Sequence, residues 1–327
     1  MRDFFSPEER TRIAAAVDSA PSILDEHPWF LRIVADDRVE LHLTYPVEDL
    51  SSLRREVWIS CGAALYNLRL AIRVTGHAVN DVLAPDPRRD GTLVASVEIV
   101  TGRVSPATTA EQELYEAIPY RHTSHDPFSL LRVPDAFLVE MEDAAAAENG
   151  WLRIVHRREV KRLLRAEARA ERTLADTEPA GLERTGFRRA RGVQLMTLST
   201  DDDRPLDWVR AGMALEHALL TVTRFSMSKR YGREARYSAP RRLGFPARRV
   251  PGRWDRQVPA MYGIAATPLT GLLDLADLRG TARRWPWRSY YPEIPQMLIR
   301  VGYAAAPGDS PTPPRPLRWD DQRRPAP

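Results

Sequence analysis

Apolar and polar positions recur along the chain at spacings that predict both helices and strands. Val39–Thr44 alternates between apolar and polar residues and follows the apolar-rich Trp29–Val34 across a short turn, which predicts a β-hairpin. Val57–Val74 is mostly apolar and predicts a long buried helix. The other predicted helices are 108–118, 133–147, 157–174 and 207–223, and the other predicted strands are 93–101, 151–155, 194–199 and 296–303. The pattern indicates an α+β protein.

Two helix starts carry local signals that fix their position. Ser6 precedes Pro7 and two acidic residues, the usual arrangement of an N-cap residue followed by the first turn. This helix should end before Ala20-Pro21-Ser22. Thr108 and Glu111 have the spacing of a capping box and predict a helix that begins just after Thr108.

Some elements occur twice, which suggests two related lobes. Leu-Arg-Ile-Val stands at 31–34 and again at 152–155, each time shortly after a tryptophan. The helix segment 61–67 also aligns with 211–217 at an offset of 150 residues, with Gly62 matching Gly212. A strand, a Gly-Ala helix and a further strand therefore appear twice in the same order, as expected for an internal duplication.

Composition excludes several classes of protein. The 327 residues include a single cysteine, Cys61, so no intrachain disulfide or Cys-x-x-Cys motif can form. No segment has the length of apolar sequence that a membrane span requires, and Met1–Ser22 lacks a signal-peptide core. We therefore expect a cytoplasmic protein with no membrane partner. The Walker A, Gly-x-Gly-x-x-Gly, His-Glu-x-x-His and Gly-x-Ser-x-Gly motifs are all absent, so a serine triad has no support.

Positive charge is concentrated in one segment. The formal net charge is +4, but Arg224–Arg256 alone contains eleven basic and two acidic residues, so the rest of the chain is mildly acidic. Only two of the basic residues are lysines, which fits a coding bias better than selection for phosphate contacts. From residue 307 onward the chain has seven prolines in 21 residues and no periodicity, which predicts a disordered tail over 307–327.

Several sequence blocks, taken together, resemble one family. They are Ala20-Pro21-Ser22 followed by Pro28-Trp29, and the segments 59–71, 118–123 with 127–128, 207–212 and 295–303. In this order, over residues 10–306, they resemble the Acg-type branch of the nitroreductase superfamily. The resemblance implies an α+β nitroreductase-like fold with two pseudo-repeated lobes, 1–107 and 108–306, each a mainly antiparallel sheet flanked by helices.

The same resemblance implies that FMN binds between the lobes. Pro21 and Ser22 would lie beside the flavin ring, and Arg121, Thr123 and the position of His125 would surround the phosphate. Arg300 resembles a second phosphate arginine, and Thr267 lies in the Gly263–Thr270 segment of the pattern. A phosphate dianion favours charge-assisted arginine contacts, while the ring favours apolar faces with a few polar donors.

The chain also departs from the family pattern around this site. Asp25 stands where the family has Asn, His27 where it has Gln, and His125 where it has a second phosphate Arg. Each lost charge-assisted hydrogen bond is worth about 1.5–3 kcal/mol. The predicted cofactor-binding set is Pro21, Ser22, Asp25, His27, Arg121, Thr123, His125, Thr267 and Arg300.

Other readings of these residues remain open from the sequence alone. His122, His125 and Asp126 offer imidazole and carboxylate groups to a metal, but no further ligand has suitable spacing, so no metal site is predicted. Asn67 and His217 are interpreted as packing or capping groups, and Cys61 as an inert core residue.

Two regions differ in length from the family. The central stretch, which can form a lid over the flavin in relatives, spans only 157–193, whereas 225–262 is an insertion rich in Arg and aromatic residues. This insertion could be an ordinary surface loop, a substitute lid or a site for single-stranded nucleic acid or another polyanion.

The leading hypothesis is an FMN-dependent oxidoreductase that takes hydride from NAD(P)H and reduces a small nitro or quinone-like acceptor. No side chain is required as a catalytic acid or base, because the flavin carries the chemistry. A monomer would suffice, since the two lobes mimic a dimer. The alternatives are a flavin-sequestering protein and a degenerate scaffold that binds a polyanion through 225–262.

Overall fold

The computed structural model describes residues 5–22, 27–35, 37–44, 54–83, 91–123, 128, 132–155, 194–231, 262–269, 293–305 and 319–320. Its helices are α1 (Pro7–Asp18), α2 (Arg54–Val74), α3 (Thr109–Ala117), α4 (Asp135–Ala146) and α5 (Pro205–Tyr231), with a 3₁₀ turn at Ile118–Tyr120. Its strands are β1 (Trp29–Ala35), β2 (Arg38–Leu43), β3 (His77–Leu83), β4 (Leu93–Val104), β5 (Trp151–Ile154), β6 (Gln194–Thr200), β7 (Tyr262–Leu269), β8 (Ile294–Ala305) and β9 (Trp319–Asp320).

These strands form two separate sheets. The first has the order β3-β4-β2-β1-β9 and the second the order β5-β6-β8-β7. All pairings in both sheets are antiparallel except that of β9 with β1. The predicted α+β class, with two mainly antiparallel sheets flanked by helices, is confirmed.

Local signals in the sequence produce the helix starts as predicted. Ser6 caps α1 by accepting from the Glu9 amide, while the Glu9 carboxylate accepts from the Ser6 amide at 2.8 Å. Thr108 and Glu111 form the same reciprocal pair at the start of α3. Each box satisfies two amides that the helix itself leaves without partners.

The two long helices α2 and α5 cross at their glycines. A Cβ atom on Gly62 would lie 2.9 Å from the Gly212 Cα and nearer still to the Val209 carbonyl oxygen. A Cβ atom on Gly212 would meet Gly62 and the Ile59 carbonyl oxygen in the same way. Glycine is therefore required at both positions for this close backbone approach. The contact is reciprocal: Gly62 approaches the Val209 carbonyl and Gly212 approaches the Ile59 carbonyl, and positions 209 and 212 are 59 and 62 shifted by 150.

This helix pair joins two apolar cores. One core lies between the first sheet, α1 and α2 and also receives Val209 and Met213 from α5. The other lies between the second sheet, α4 and α5 and receives Ile59 from α2. Each long helix thus contributes to both cores, and the middle of the pair is buried on all sides.

Several elements differ from the sequence prediction. Strands β3 and β7 are not predicted as strands, and α5 continues past residue 223 to Tyr231. The first residues of the predicted 225–262 insertion are therefore helical, and the ring of Phe225 packs 4.8 Å from that of Phe137. Trp319 and Asp320, in the tail predicted as disordered, pair with Leu31 and Arg32 of β1.

Other predictions fall on residues outside those that the structure describes. These include the helix over 157–174, the remainder of the insertion from 232 to 261, and most of the tail. The lobe boundary between residues 107 and 108 stays a prediction.

Candidate functional site

The C-terminal end of α1 carries the predicted Pro21-Ser22 segment. The helix ends at Asp18, and the Asn67 side chain donates to the Ala16 carbonyl oxygen at 3.0 Å, which also accepts from the Ser19 amide in the last turn. This is the capping role expected for Asn67. Beyond the helix, the Ser22 hydroxyl is buried and makes no hydrogen bond within the described residues. The segment thus presents a polar group that is free to bind a ligand.

Arg121 reaches the same end of α1 from a distant part of the chain. It follows the 3₁₀ turn after α3, and its Nη2 donates to the Ser19 carbonyl oxygen at 3.1 Å across 102 residues of sequence. Only 12% of its side chain is exposed. Arg121 therefore contacts the end of α1, three residues before Ser22.

His27 is held at this end of α1 by an acidic residue. Its Nδ1 lies 2.6 Å from Oδ1 of Asp18, whose side chain is buried, and its ring stacks on Trp29 with the centroids 5.1 Å apart. Because a carboxylate can only accept, Nδ1 carries the proton in this pair. The stacking and the hydrogen bond fix the orientation of the imidazole.

Glu216 of α5 lies behind Arg121 and was not selected from the sequence. The carboxyl is fully buried, and its Oε1 is 3.8 Å from Arg121 Nε. Burial raises its pKa from 4.5 to about 8, which the neighbouring Arg121 and Asn67 offset in part. At neutral pH this carboxyl is therefore mainly protonated.

A second polar network links α2 and α5 at His217, the residue that follows Glu216 in the sequence. The Tyr66 ring stacks on His217 at 4.9 Å, and Arg69 pairs with both Asp81 and Glu148. Burial raises the pKa of the Tyr66 hydroxyl, while Arg69 and His217 hold the pKa of Glu148 below its usual value. His217 is thus a packing residue with an acidic neighbour, as predicted.

Arg300 lies in β8 beneath a phenylalanine. Its side chain is buried, and its guanidinium carbon is 4.6 Å from the centroid of the Phe128 ring, which also covers Gly302. Phe128 follows Arg121 by seven residues in the sequence. Thr267 pairs with Arg300 in the β7–β8 register.

The predicted site residues therefore divide into three groups. Pro21, Ser22, His27 and Arg121 gather at the end of α1, and Thr123 follows, half-buried. Arg300 and the backbone of Thr267 lie together in the second sheet. Asp25 and His125 lie outside the described residues. Asp18 and Glu216 were not selected from the sequence. The one sequence signal for Asp18 is its position at the end of α1, beside a buried face.

The remaining candidates contribute no chemistry to this site. Cys61 is fully buried, and burial raises the pKa of its thiol, consistent with an inert core residue. The described part of the chain contains no group of three His, Cys, Asp or Glu residues that could hold a metal ion. Two of the three residues considered as metal ligands, His125 and Asp126, lie outside the described residues. No helix that the structure describes is long and apolar enough to cross a membrane.

Comparison with known proteins relates the whole chain to two proteins of Mycobacterium tuberculosis strain H37Rv. One, named "Uncharacterized protein", is 28% identical over 318 aligned residues, which cover 91% of this chain and 88% of the relative. The other, named "Putative NAD(P)H nitroreductase", is 27% identical over 353 aligned residues, covering 94% and 88% respectively. No family model matches the chain.

Among solved structures, the chain is similar to a nitroreductase with bound FMN from Desulfitobacterium hafniense DCB-2. The TM-score is 0.38 and the identity 15%, over 62% of this chain and 94% of that one. The relationship itself rests on sequence, because the relative named as a nitroreductase aligns along nearly the full length and the family blocks occur in order. The chain is similar along most of its length to a protein named as a putative nitroreductase, in agreement with the resemblance of its sequence blocks to the nitroreductase superfamily.

Proposed function

We propose that this protein is an FMN-dependent oxidoreductase of the nitroreductase type. Bound FMN would supply hydride acceptance from NAD(P)H and electron transfer to a small nitro or quinone-like acceptor. The observation that carries the proposal is the contact of the largely buried Arg121 with the Ser19 carbonyl oxygen, at the end of α1 that leads into Pro21 and Ser22. A relative named as an NAD(P)H nitroreductase supports the choice of reaction class.

The residues at the end of α1 fit a ligand of this kind. An unpartnered buried hydroxyl costs free energy unless a ligand supplies a hydrogen bond, and Ser22 offers one such group. Arg121 Nε also makes no hydrogen bond within the described residues, so part of its guanidinium is available to an anion. These two residues would hold the polar parts of the cofactor.

The other residues would orient the ligand and keep water away. His27 is fixed by Asp18 and Trp29 and would offer Nε2 in place of the amide that the family uses. Arg300, covered by Phe128, would act as the second cation, with the aromatic ring excluding solvent from it. None of these side chains needs to gain or lose a proton in the reaction.

The helix crossing supports the further proposal that the two lobes arose by internal duplication. Residues 59 and 62 of α2 meet residues 209 and 212 of α5, so each contact occurs twice, as in an isologous interface between identical subunits. On this proposal the chain already contains both halves of the site, and a monomer is sufficient for activity.

A binding experiment tests the proposed cofactor. FMN and riboflavin, which lacks the phosphate, are titrated into the protein, and binding is followed by flavin fluorescence. We expect tighter binding of FMN, and Arg121→Gln should weaken FMN binding by roughly 10–100-fold, the loss of about 1.5–3 kcal/mol, while leaving riboflavin unchanged. Arg224→Gln, at a half-buried position of α5 beside Glu113, serves as the control with the same loss of charge.

A different outcome would support another function. Protein that binds FMN but is not reduced on addition of NAD(P)H would be a flavin-sequestering protein. Protein that binds neither flavin would refute both functions and favour a degenerate scaffold.

A further inference from the structure

The carboxyl of Glu216 lies where it can control the cation of the proposed phosphate site. Its Oε1 is 3.8 Å from Arg121 Nε, a distance that allows attraction between charges but is too long for a hydrogen bond. Neither carboxyl oxygen makes a hydrogen bond within the described residues, although the group is completely buried. An ionised carboxylate in this position would carry a large desolvation cost.

Burial favours the protonated carboxyl, and its neighbours oppose it only in part. Asn67 donates from Nδ2 to the Ala16 carbonyl oxygen, so one of its donor hydrogens is already used. Arg121 and Asn67 both lower the pKa of Glu216, yet burial outweighs them and the pKa stays raised, at about 8.

The other ionisable groups that face Glu216 lie on three elements. Tyr66 and Arg69 come from α2, Glu148 follows α4, and His217 is its neighbour on α5. Burial raises the pKa of Tyr66, ion pairs with Glu148 and Asp81 raise that of Arg69, and His217 and Arg69 lower that of Glu148. Tyr66, Arg69 and Glu148 therefore keep their protonation states between pH 7 and 9, while Glu216 does not.

We propose that Glu216 is a positioning residue for Arg121, whose guanidinium binds a phosphate while the Glu216 carboxyl is protonated and turns to that carboxyl when it ionises. The inference rests on the proposed function, in which Arg121 holds the phosphate of FMN. In the protonated state Arg121 stays at the Ser19 carbonyl oxygen with its charge available. In the ionised state the same charge is neutralised inside the protein, and the phosphate loses its partner.

The affinity for FMN should therefore fall as the pH rises. If only the protonated form binds phosphate, the competent fraction falls from about 0.9 at pH 7 to about 0.1 at pH 9, and the apparent Kd rises roughly tenfold. Binding should also take up a proton, about 0.8 per FMN at pH 8.5 on the same reasoning. Riboflavin has no phosphate, so its affinity should not follow this curve.

The test is a titration of FMN and riboflavin into the whole protein at pH 7, 8 and 9, followed by flavin fluorescence. The wild-type protein should show the tenfold loss with FMN alone, and Glu216→Gln should bind FMN with the pH 7 affinity at every pH. Glu142→Gln removes a partly buried carboxyl of α4 whose pKa is also raised, and should keep the wild-type dependence. Calorimetry of the wild-type protein in buffers of different ionisation enthalpy measures the proton uptake, so the test does not depend on the folding of a variant.

The possible outcomes separate this inference from the function on which it rests. FMN binding that is independent of pH, or that keeps the same dependence in Glu216→Gln, overturns the role of Glu216 alone. An equal dependence for riboflavin, or the absence of proton uptake, does the same. If FMN does not bind at any pH, the proposed function is refuted, and this inference with it.

Discussion

Replacement of Glu216 by glutamine should change how the stability of the protein depends on pH. The side chain is fully buried, and its pKa in the folded protein is raised from 4.5 to about 8. Between these two values the folded protein retains a proton that the unfolded chain has lost. Stability therefore falls as the pH rises through this interval, because the folded state binds more protons than the unfolded state.

The magnitude follows from the size of the shift. Between pH 5 and pH 8 the wild-type protein should lose about 3.5 kcal/mol of unfolding free energy through this one group. Glutamine has nearly the same shape and no proton to lose, so the variant should not show this loss. Relative to the wild type, Glu216→Gln should thus become more stable by about 3.5 kcal/mol over that range.

Urea denaturation at pH 5, 6, 7 and 8, followed by tryptophan fluorescence, measures this difference. Comparing the two proteins at each pH cancels the contribution of the other titrating groups. Glu142→Gln serves as the control for loss of a partly buried carboxyl. A difference between wild type and Glu216→Gln that stays constant from pH 5 to pH 8 would refute the assignment of a protonated Glu216 in the folded protein.

Three further substitutions test other parts of the structure by urea denaturation. Gly62→Ala should destabilise the protein by at least about 1–3 kcal/mol through overpacking at the helix crossing. In the control Gly76→Ala, the added Cβ meets no atom within 4 Å, so the change should cost only the strain of a φ of +91°. Equal effects of the two substitutions would contradict the close approach of α2 and α5. Glu111 has its pKa lowered to about 2 by an arginine partner, so Glu111→Gln should cost about 1 kcal/mol at pH 7, a difference that disappears as the pH falls from 4.5 toward 2. Asp18→Asn replaces the charge-assisted hydrogen bond to His27 with a neutral one and should cost about 1 kcal/mol. His27→Ala should then cost less in this variant than in the wild type, because only the neutral bond and the stacking on Trp29 are left to lose.

The strands that the sequence did not predict are explained by their place in the sheets. β3 and β7 lie at sheet edges, where one side has no neighbouring strand among the described residues. Edge strands tolerate residues that weaken a strand pattern: Pro268 lies within β7, and Asp81 of β3 pairs with Arg69. The central strands, by contrast, are strongly apolar or alternate, and their prediction is confirmed to within a few residues.

Some residues of the proposed site can be selected from sequence motifs, whereas others are apparent only from the packing of the helices. Pro21, Ser22 and Arg121 belong to sequence blocks that resemble the family, and the structure brings them to the same end of α1. Glu216 carries no such signal, because a single acidic residue in an apolar helix can face solvent or the core equally well from its sequence. The alignment at an offset of 150 matches it to Tyr66, but only the crossing of α2 and α5 shows that both face the buried interior.

The arginines proposed to bind the cofactor are not those that dominate the charge pattern of the sequence. The basic residues around 225–262 dominate the charge pattern of the sequence, yet the cations at the candidate site, Arg121 and Arg300, come from outside that segment. Both are largely buried, and each has a defined neighbour, the Ser19 carbonyl oxygen and the Phe128 ring. A buried arginine held by a defined neighbour is well suited to one anionic ligand, because its geometry is fixed.

The most direct test of the central claim is the visible absorption spectrum of the protein after incubation with FMN and removal of unbound flavin. If the end of α1 holds the cofactor of a nitroreductase-type enzyme, the protein should retain about one FMN per chain, and anaerobic addition of NAD(P)H should bleach the flavin band. The colour should return on addition of a quinone. A protein that stays colourless would contradict the account at its foundation.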